Sequence, residues 1–88
     1  MLAGYAHLTT SAHVTANPTR LVALVATAGT TEPLVVTVRD GAATGPVVLV
    51  VRVPLSETRA VHPALPVSLT RGLYVELSAA GDVTVFYG

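Results

Sequence analysis

Residues 33–54 decide the fold, and they read Pro-Leu-Val-Val-Thr-Val-Arg-Asp-Gly-Ala-Ala-Thr-Gly-Pro-Val-Val-Leu-Val-Val-Arg-Val-Pro. Two runs rich in β-branched residues flank a short segment that contains two glycines and a proline. Valine and threonine suit the pleated surface of a sheet, and Gly41 and Gly45 can adopt the positive φ angles of a tight connection. The stretch therefore predicts a β-hairpin.

Both arms of this hairpin carry apolar residues on both faces. One side carries Leu34, Val36, Val38, Val47, Leu49, Val51 and Val53. The other side carries Val35, Thr37, Arg39, Val48, Val50 and Arg52. A strand with one face in water alternates more clearly between apolar and polar residues. We therefore expect the hairpin to be covered on both sides, with Val35, Val48 and Val50 in contact with a partner.

The composition also predicts a protein partner. The chain has 88 residues, of which 51% are hydrophobic and only 11% are charged. One small domain has too much surface to hide that much apolar side chain, so part of it must contact something else. No apolar run approaches the roughly 20 residues of a membrane-spanning helix, and the N-terminal residues lack the basic region of a signal peptide. We expect copies of the same chain as partner, most simply in a homotrimer, and no membrane.

Charge and cysteine content exclude several other classes of function. The formal net charge is zero, lysine is absent and the five arginines are scattered, which is not the pattern of a nucleic-acid-binding protein. Without cysteine there are no disulfides and no thiolate metal ligands.

Short strands separated by turn residues continue along the rest of the chain. Strand patterns occupy residues 5–8, 20–27, 58–61, 67–70, 73–78 and 83–88. Residues 20–27 also fit one face of a helix, but the run is short, contains valines and lacks an N-cap, which favours a strand. The segment 79–82 is expected to turn the chain between the last two strands. Together these patterns predict a small all-β antiparallel sandwich of six to eight short strands, similar to a jelly roll.

Two parts of the chain are distinguished at this stage. Residues 1–19 are predicted to be an N-terminal arm or a first strand, and residues 20–88 the β-sandwich domain. We expect the core to contain Val36, Val38, Leu49, Val51, Leu73, Val75, Leu77, Val83 and Val85.

No group of residues predicts catalysis or metal binding. His7 and His13 are about 20 Å apart on an extended strand, and no carboxylate neighbours them in sequence. A Ser-His-Asp triad could be assembled from Ser56, His62 and Asp40, but no nucleophile-elbow motif supports it. We expect no enzyme activity, no cofactor and no metal. Tyr74 and Phe86 lie off the predicted core faces, so they are candidates either for a subunit interface or for a carbohydrate-binding platform.

Three segments resemble small β-sandwich virion proteins of tailed bacteriophages. They are Val-Thr-Val-Arg-Asp-Gly at 36–41, Gly-Leu-Tyr-Val-Glu-Leu-Ser at 72–78 and Asp-Val-Thr-Val-Phe-Tyr-Gly at 82–88. In those proteins a strand ending in Asp-Gly is followed by a Gly-Leu-Tyr-Val strand that ends in serine, and then by a terminal Val-Thr-Val strand. The resemblance covers residues 20–88, and it departs from the pattern at Ala79-Ala80-Gly81, where Ser-Gly is expected directly.

The resemblance implies a structural role in the virion without catalytic residues. A capsid decoration or head-surface protein that binds its own copies and the major capsid protein is the first hypothesis. A receptor- or glycan-binding module of a tail fibre or spike is the alternative. Flat contacts would indicate the first, and a cleft or loop tip with exposed aromatics the second.

Overall fold

The computed structural model of the protein describes residues 4–88 and contains nine strands within them. They are β1 (Gly4–Leu8), β2 (Ala12–Thr15), β3 (Thr19–Ala28), β4 (Leu34–Asp40), β5 (Val47–Val53), β6 (Thr58–Val61), β7 (Val67–Leu69), β8 (Leu73–Leu77) and β9 (Gly81–Tyr87). Within this part of the chain there is no helix that could cross a membrane. The strand predicted at 20–27 is confirmed, and it is longer than predicted. The predicted range of six to eight strands is exceeded because residues 12–15, for which the sequence predicts no strand, also form one.

The strands form two antiparallel sheets. Sheet A has the order β1-β9-β3-β6, and β7 pairs with β3 beside β6. Sheet B has the order β2-β8-β4-β5. Consecutive strands occupy corresponding positions in opposite sheets, as in the pairs β1/β2, β3/β4 and β9/β8. This is the strand order of a jelly roll, with β7 added, so the predicted fold class is confirmed.

The central hairpin is present as predicted, with an irregularity near its loop. Leu34 pairs with Val53 and Val38 with Leu49, but Arg39 pairs with Val47, so Val48 is an extra residue in a β-bulge. The bulge turns Val47 to the outer side beside Arg39, and the predicted position of Val47 on the inner side is therefore wrong.

The loop of this hairpin uses its two glycines differently. Gly41 has a φ of 104°, as the sequence predicts. Gly45 does not have a positive φ, yet a Cβ at this position would overlap the carbonyl oxygen of Asp40. Close backbone approach is the reason for the second glycine.

The last two strands are joined by a turn, as predicted, but they do not pair with each other. β8 pairs with β2 and β4 in sheet B, whereas β9 pairs with β1 and β3 in sheet A. Residues 78–80 therefore carry the chain from one sheet to the other. The turn residues were recognised correctly, but a turn alone does not determine whether its two strands share a sheet.

The core lies between the inner faces of the two sheets. Its buried side chains are Leu21, Leu24, Ala26, Ala28, Leu34, Val36, Val38, Val51, Val53, Leu69, Leu73, Val75, Val83 and Val85. Seven of the nine predicted core residues belong to this set. The other two, Leu49 and Leu77, pack against it but are only half-buried. Leu49 lies on the edge strand β5 and Leu77 at the end of β8, where fewer neighbours cover a side chain.

Residues 4–15 contribute one strand to each sheet. β1 pairs with β9 in sheet A, and β2 pairs with β8 in sheet B. The Ser11 hydroxyl accepts a hydrogen bond from the Leu77 amide at 2.9 Å. No residue of β1 or β2 belongs to the buried set. Residues 1–3 of the predicted arm lie outside the described part of the chain.

Candidate functional site

Three of the five predicted interface residues lie on the outer face of sheet B. Val35 and Tyr74 each lie between two buried residues of their strands, and Val50 precedes the buried Val51. Their side chains therefore point away from the core. Val50 is 42% exposed, and the other two are half-buried. The Tyr74 ring lies beside His13 of the neighbouring strand, with ring centroids 6.2 Å apart.

Charged side chains cross this outer face. Arg39 Nε donates to Glu76 Oε1 at 3.1 Å, and Arg39 Nη1 donates to the Gly45 carbonyl at 2.9 Å. Arg52 is exposed and pairs with Val35. The apolar surface that the sequence suggests for the hairpin is therefore interrupted by three charged residues.

The remaining two predicted interface residues lie elsewhere. Val48 occupies the bulge and is half-buried against the core. Phe86 belongs to β9 and lies on the outer face of sheet A, on the opposite side of the sandwich. The five residues do not form one continuous surface.

The same separation excludes the aromatic platform suggested for Tyr74 and Phe86. Tyr74 belongs to sheet B and Phe86 to sheet A, so the core lies between the two outward-pointing rings. The predicted outward direction is correct for each residue, but a shared platform requires both strands to lie in one sheet. The aromatic partner of Phe86 is Tyr5 of β1, with ring centroids 6.3 Å apart.

The outer face of sheet A is the less charged of the two broad faces. One row across its strands contains Tyr5, Phe86 and Ala23. The next row contains His7, Thr84, Val25 and Ala60. Among the described residues, Arg20 lies at one end of this face and Asp82 at the other, where His7 Nε2 is 3.2 Å from Asp82 Oδ1.

Sequence reasoning missed this face because the pattern of β3 is ambiguous. Ala23 and Val25 on its outer side are as apolar as Leu24 and Ala26 on its inner side. A strand with two apolar faces shows no alternation, and the same residues also fit a helical face. The signal that was available is the presence of two aromatic residues, Tyr5 and Phe86, outside the predicted core.

Asp40 holds the two sheets together at the loop end of the sandwich. Its Oδ1 accepts a hydrogen bond from the Arg71 amide at 2.8 Å, and its Oδ2 accepts from the Thr70 amide and hydroxyl at 3.2 and 3.0 Å. Thr70 and Arg71 connect β7 of sheet A with β8 of sheet B. The hydrogen bond from the Arg71 amide, together with those from Thr70, lowers the pKa of Asp40 below its ordinary value.

A depression of about 350 Å³ lies beside this junction. Its lining consists of Asp40, Gly41, Ala42, Thr44, Gly45, Pro46 and Arg71. No aromatic side chain is part of this lining. The Asp40 carboxylate already accepts hydrogen bonds from Thr70 and Arg71. The depression therefore offers neither a stacking surface for a sugar nor a free acid–base pair.

Within the described residues, the histidines form no metal-binding cluster, and the triad of Ser56, His62 and Asp40 is not assembled. Within residues 4–88, no group of three or more His, Asp or Glu side chains is placed to hold a metal ion. Asp40 lies at the end of β4. The Ser56 amide donates a hydrogen bond to the Gly29 carbonyl, near the start of that strand. A seven-residue strand is about 20 Å long, so Ser56 and Asp40 do not meet.

Comparison with known proteins gives no relative. No protein-family model matches this chain, and neither a curated protein nor a solved structure matches it.

Proposed function

We propose that this chain is a non-enzymatic virion structural protein that acts by associating with its own copies and with the shell. A capsid decoration or head-surface protein of a tailed bacteriophage is the specific role proposed. Support comes from the virion-like strand segments and from the jelly-roll order, which is also found in viral capsid domains. Fold alone does not determine function, so the proposal depends on the surface.

The observation that carries the proposal is the outer face of sheet A, where apolar side chains occupy the central strands and His7, Arg20 and Asp82 lie at the margins. The chain exposes 4883 Å², close to the roughly 4,850 Å² expected for a compact monomer of this mass. Loose packing is therefore not the source of the exposed apolar area. Tyr5 is 70% exposed and Val25 36% exposed, although both lie on a regular sheet. Such a surface is typical of a protein that contacts another protein.

The self-association part of the proposal is tested on the pure full chain. Native mass spectrometry at tens of micromolar should show a closed oligomer, since the apolar face is removed from water only by association. The sequence alone predicts a trimer, which would suit threefold positions of an icosahedral shell, and the measured mass distinguishes a trimer from a pair. A soluble monomer at this concentration would contradict self-association.

The virion part is tested by co-expression. The gene should lie near one that encodes a major capsid protein, and co-expression with that capsid protein should yield shells that carry this chain through sedimentation. Shells that sediment without the chain would refute the decoration role. The matched control is the chain expressed alone, which should stay in the supernatant.

A receptor- or glycan-binding module of a tail fibre or spike is the second candidate. The observation that favours it is the exposed Tyr5 ring beside Phe86, because aromatic faces stack on sugar rings. A glycan array probed with the full chain and with Tyr5→Ala tests it. Binding that is lost in the variant would support this candidate over the decoration role.

A further inference from the structure

The two broad faces of the sandwich differ in charge, and this difference identifies the contact surface. We propose that copies of this chain pair through the outer face of sheet A, stacked sheet to sheet about a two-fold axis parallel to the strands. The inference rests on the proposed self-association, and it specifies which surface is used.

The charges on each face support this choice. The outer face of sheet B carries Arg39, Glu76 and Arg52, which would lose water on stacking. Burying charged groups costs free energy unless every one of them is paired. On the two central strands of sheet A this face consists of Phe86, Thr84, Ala23 and Val25. His7 lies on the edge strand β1, and Arg20 and Asp82 lie at the ends of the face. Because the axis runs along the strands, Arg20 of both copies lies at one end of the contact and Asp82 of both copies at the other. These charges therefore stay at the rim, where water and salt screen them.

The area is sufficient for a stable pair. The molecule measures 35 × 26 × 17 Å along its principal axes, so its broad side covers about 900 Å². A standard protein–protein interface buries about 800 Å² on each partner. Stacking one broad side on that of another copy therefore reaches the size of a specific interface.

The residues on the face are complementary to themselves. In sheet A, β9 and β3 are the two central strands, and Phe86 on β9 pairs with Ala23 on β3. A two-fold axis that runs along the strands between β9 and β3 places β9 of one copy over β3 of the other. Phe86 then lies over the small Ala23 of the other copy, and Thr84 lies over its Val25. Large side chains opposite small ones allow the stacked sheets to approach to about 10 Å.

The test compares matched valine-to-lysine variants of the two faces. Val25 is 36% exposed on sheet A, and Val50 is 42% exposed on sheet B. In native mass spectrometry and light scattering at tens of micromolar, the wild-type chain and Val50→Lys should have the mass of two chains. Val25→Lys should be monomeric, with a dissociation constant at least ten-fold higher. Far-UV circular dichroism verifies that each variant is folded.

Tyr5→Glu provides a second variant in case Val25→Lys does not fold. Tyr5 is 70% exposed on the edge strand β1, so its replacement removes little packing within the chain. It should also abolish pairing.

Each contrary outcome has a distinct meaning. A monomeric wild-type chain would contradict the proposed self-association itself. A wild-type oligomer that survives both Val25→Lys and Tyr5→Glu would overturn the choice of face and leave self-association standing. Dissociation by Val50→Lys alone would assign the contact to the hairpin side. A wild-type mass of three chains would overturn the two-fold pair.

Discussion

Replacement of Gly72 by alanine should destabilise the protein by about 2–6 kcal/mol. Gly72 is buried immediately before β8 and has a φ of 136°. An L-residue held in such a conformation costs about 1–3 kcal/mol. The added Cβ would also overlap the carbonyl oxygen of Thr15 and lie 3.2 Å from Ala16 Cα. Both are backbone atoms that cannot rotate away, and forced overpacking of this kind costs a further 1–3 kcal/mol, roughly.

Urea unfolding measures this effect. The chain has no tryptophan, so far-UV circular dichroism or tyrosine fluorescence follows the transition. A domain of this size has a free energy of unfolding of about 4–13 kcal/mol, so the loss is a large fraction of the total. With an m-value of about 1–2 kcal/mol per M, the midpoint should fall by at least about 1 M. All chains are compared at one protein concentration, because association also changes apparent stability.

Gly4→Ala is the matched control for this substitution. A Cβ at Gly4 would lie 3.4 Å from Tyr87 Oη, an ordinary contact, and Gly4 lies in the strand β1. Its stability should remain within about 0.5 kcal/mol of wild type. If Gly72→Ala were equally neutral, the close approach between β8 and residues 15–16 would be wrong.

Two further predictions concern the core and the sheet junction. Leu73→Ala should lower the free energy of unfolding in urea by about 2–5 kcal/mol, because Leu73 is fully buried. Leu77→Ala should lower it by about half as much, because Leu77 is only half-buried. Equal losses would show that the inner face is assigned incorrectly. Asp40→Asn should be less stable than wild type at pH 7, because the carboxylate accepts hydrogen bonds from Thr70 and Arg71. The pKa of Asp40 is lower in the folded state than in the unfolded chain. The ionised carboxylate therefore contributes its full stabilisation of the fold above pH 3.8, the ordinary pKa, and this stabilisation is lost as the pH falls through the lower folded-state pKa. The stability difference between wild type and Asp40→Asn should therefore shrink below about pH 4, and a difference that is constant from pH 7 to pH 2 would contradict the role of the carboxylate.

The fold class was predictable because it depends on local signals. β-Branched runs, turn residues and the Asp40-Gly41 loop determine the strands and the β4–β5 hairpin. The sheet to which β8 and β9 belong was not predictable, since pairing of Phe86 with Tyr5 and Ala23 joins segments far apart in the sequence. Nothing in residues 78–82 distinguishes a hairpin from a crossing between sheets.

The candidate surface shows the same division between local and non-local information. The sequence correctly indicates that Val50, Tyr74 and Phe86 lie outside the core. It does not indicate that Phe86 lies on the other side of the sandwich, because that depends on strand pairing. The bulge at Val48 was also hidden, since an extra residue in one strand is defined only against its partner.

The position of β9 has a consequence for how the protein is made. β9 lies between β1 and β3, and β1 pairs with no other strand of the described chain. The pairing that joins β1 and β3 through β9 therefore cannot form until residues 81–87 have left the ribosome, although β1 and β3 emerge earlier. Until then β3 exposes an unpaired edge and both of its apolar faces. Folding should accordingly be a late and slow event, since pairing between distant segments limits folding rates. Until β9 has emerged, the nascent segment that precedes it is exposed to chaperones, or to aggregation with other nascent copies.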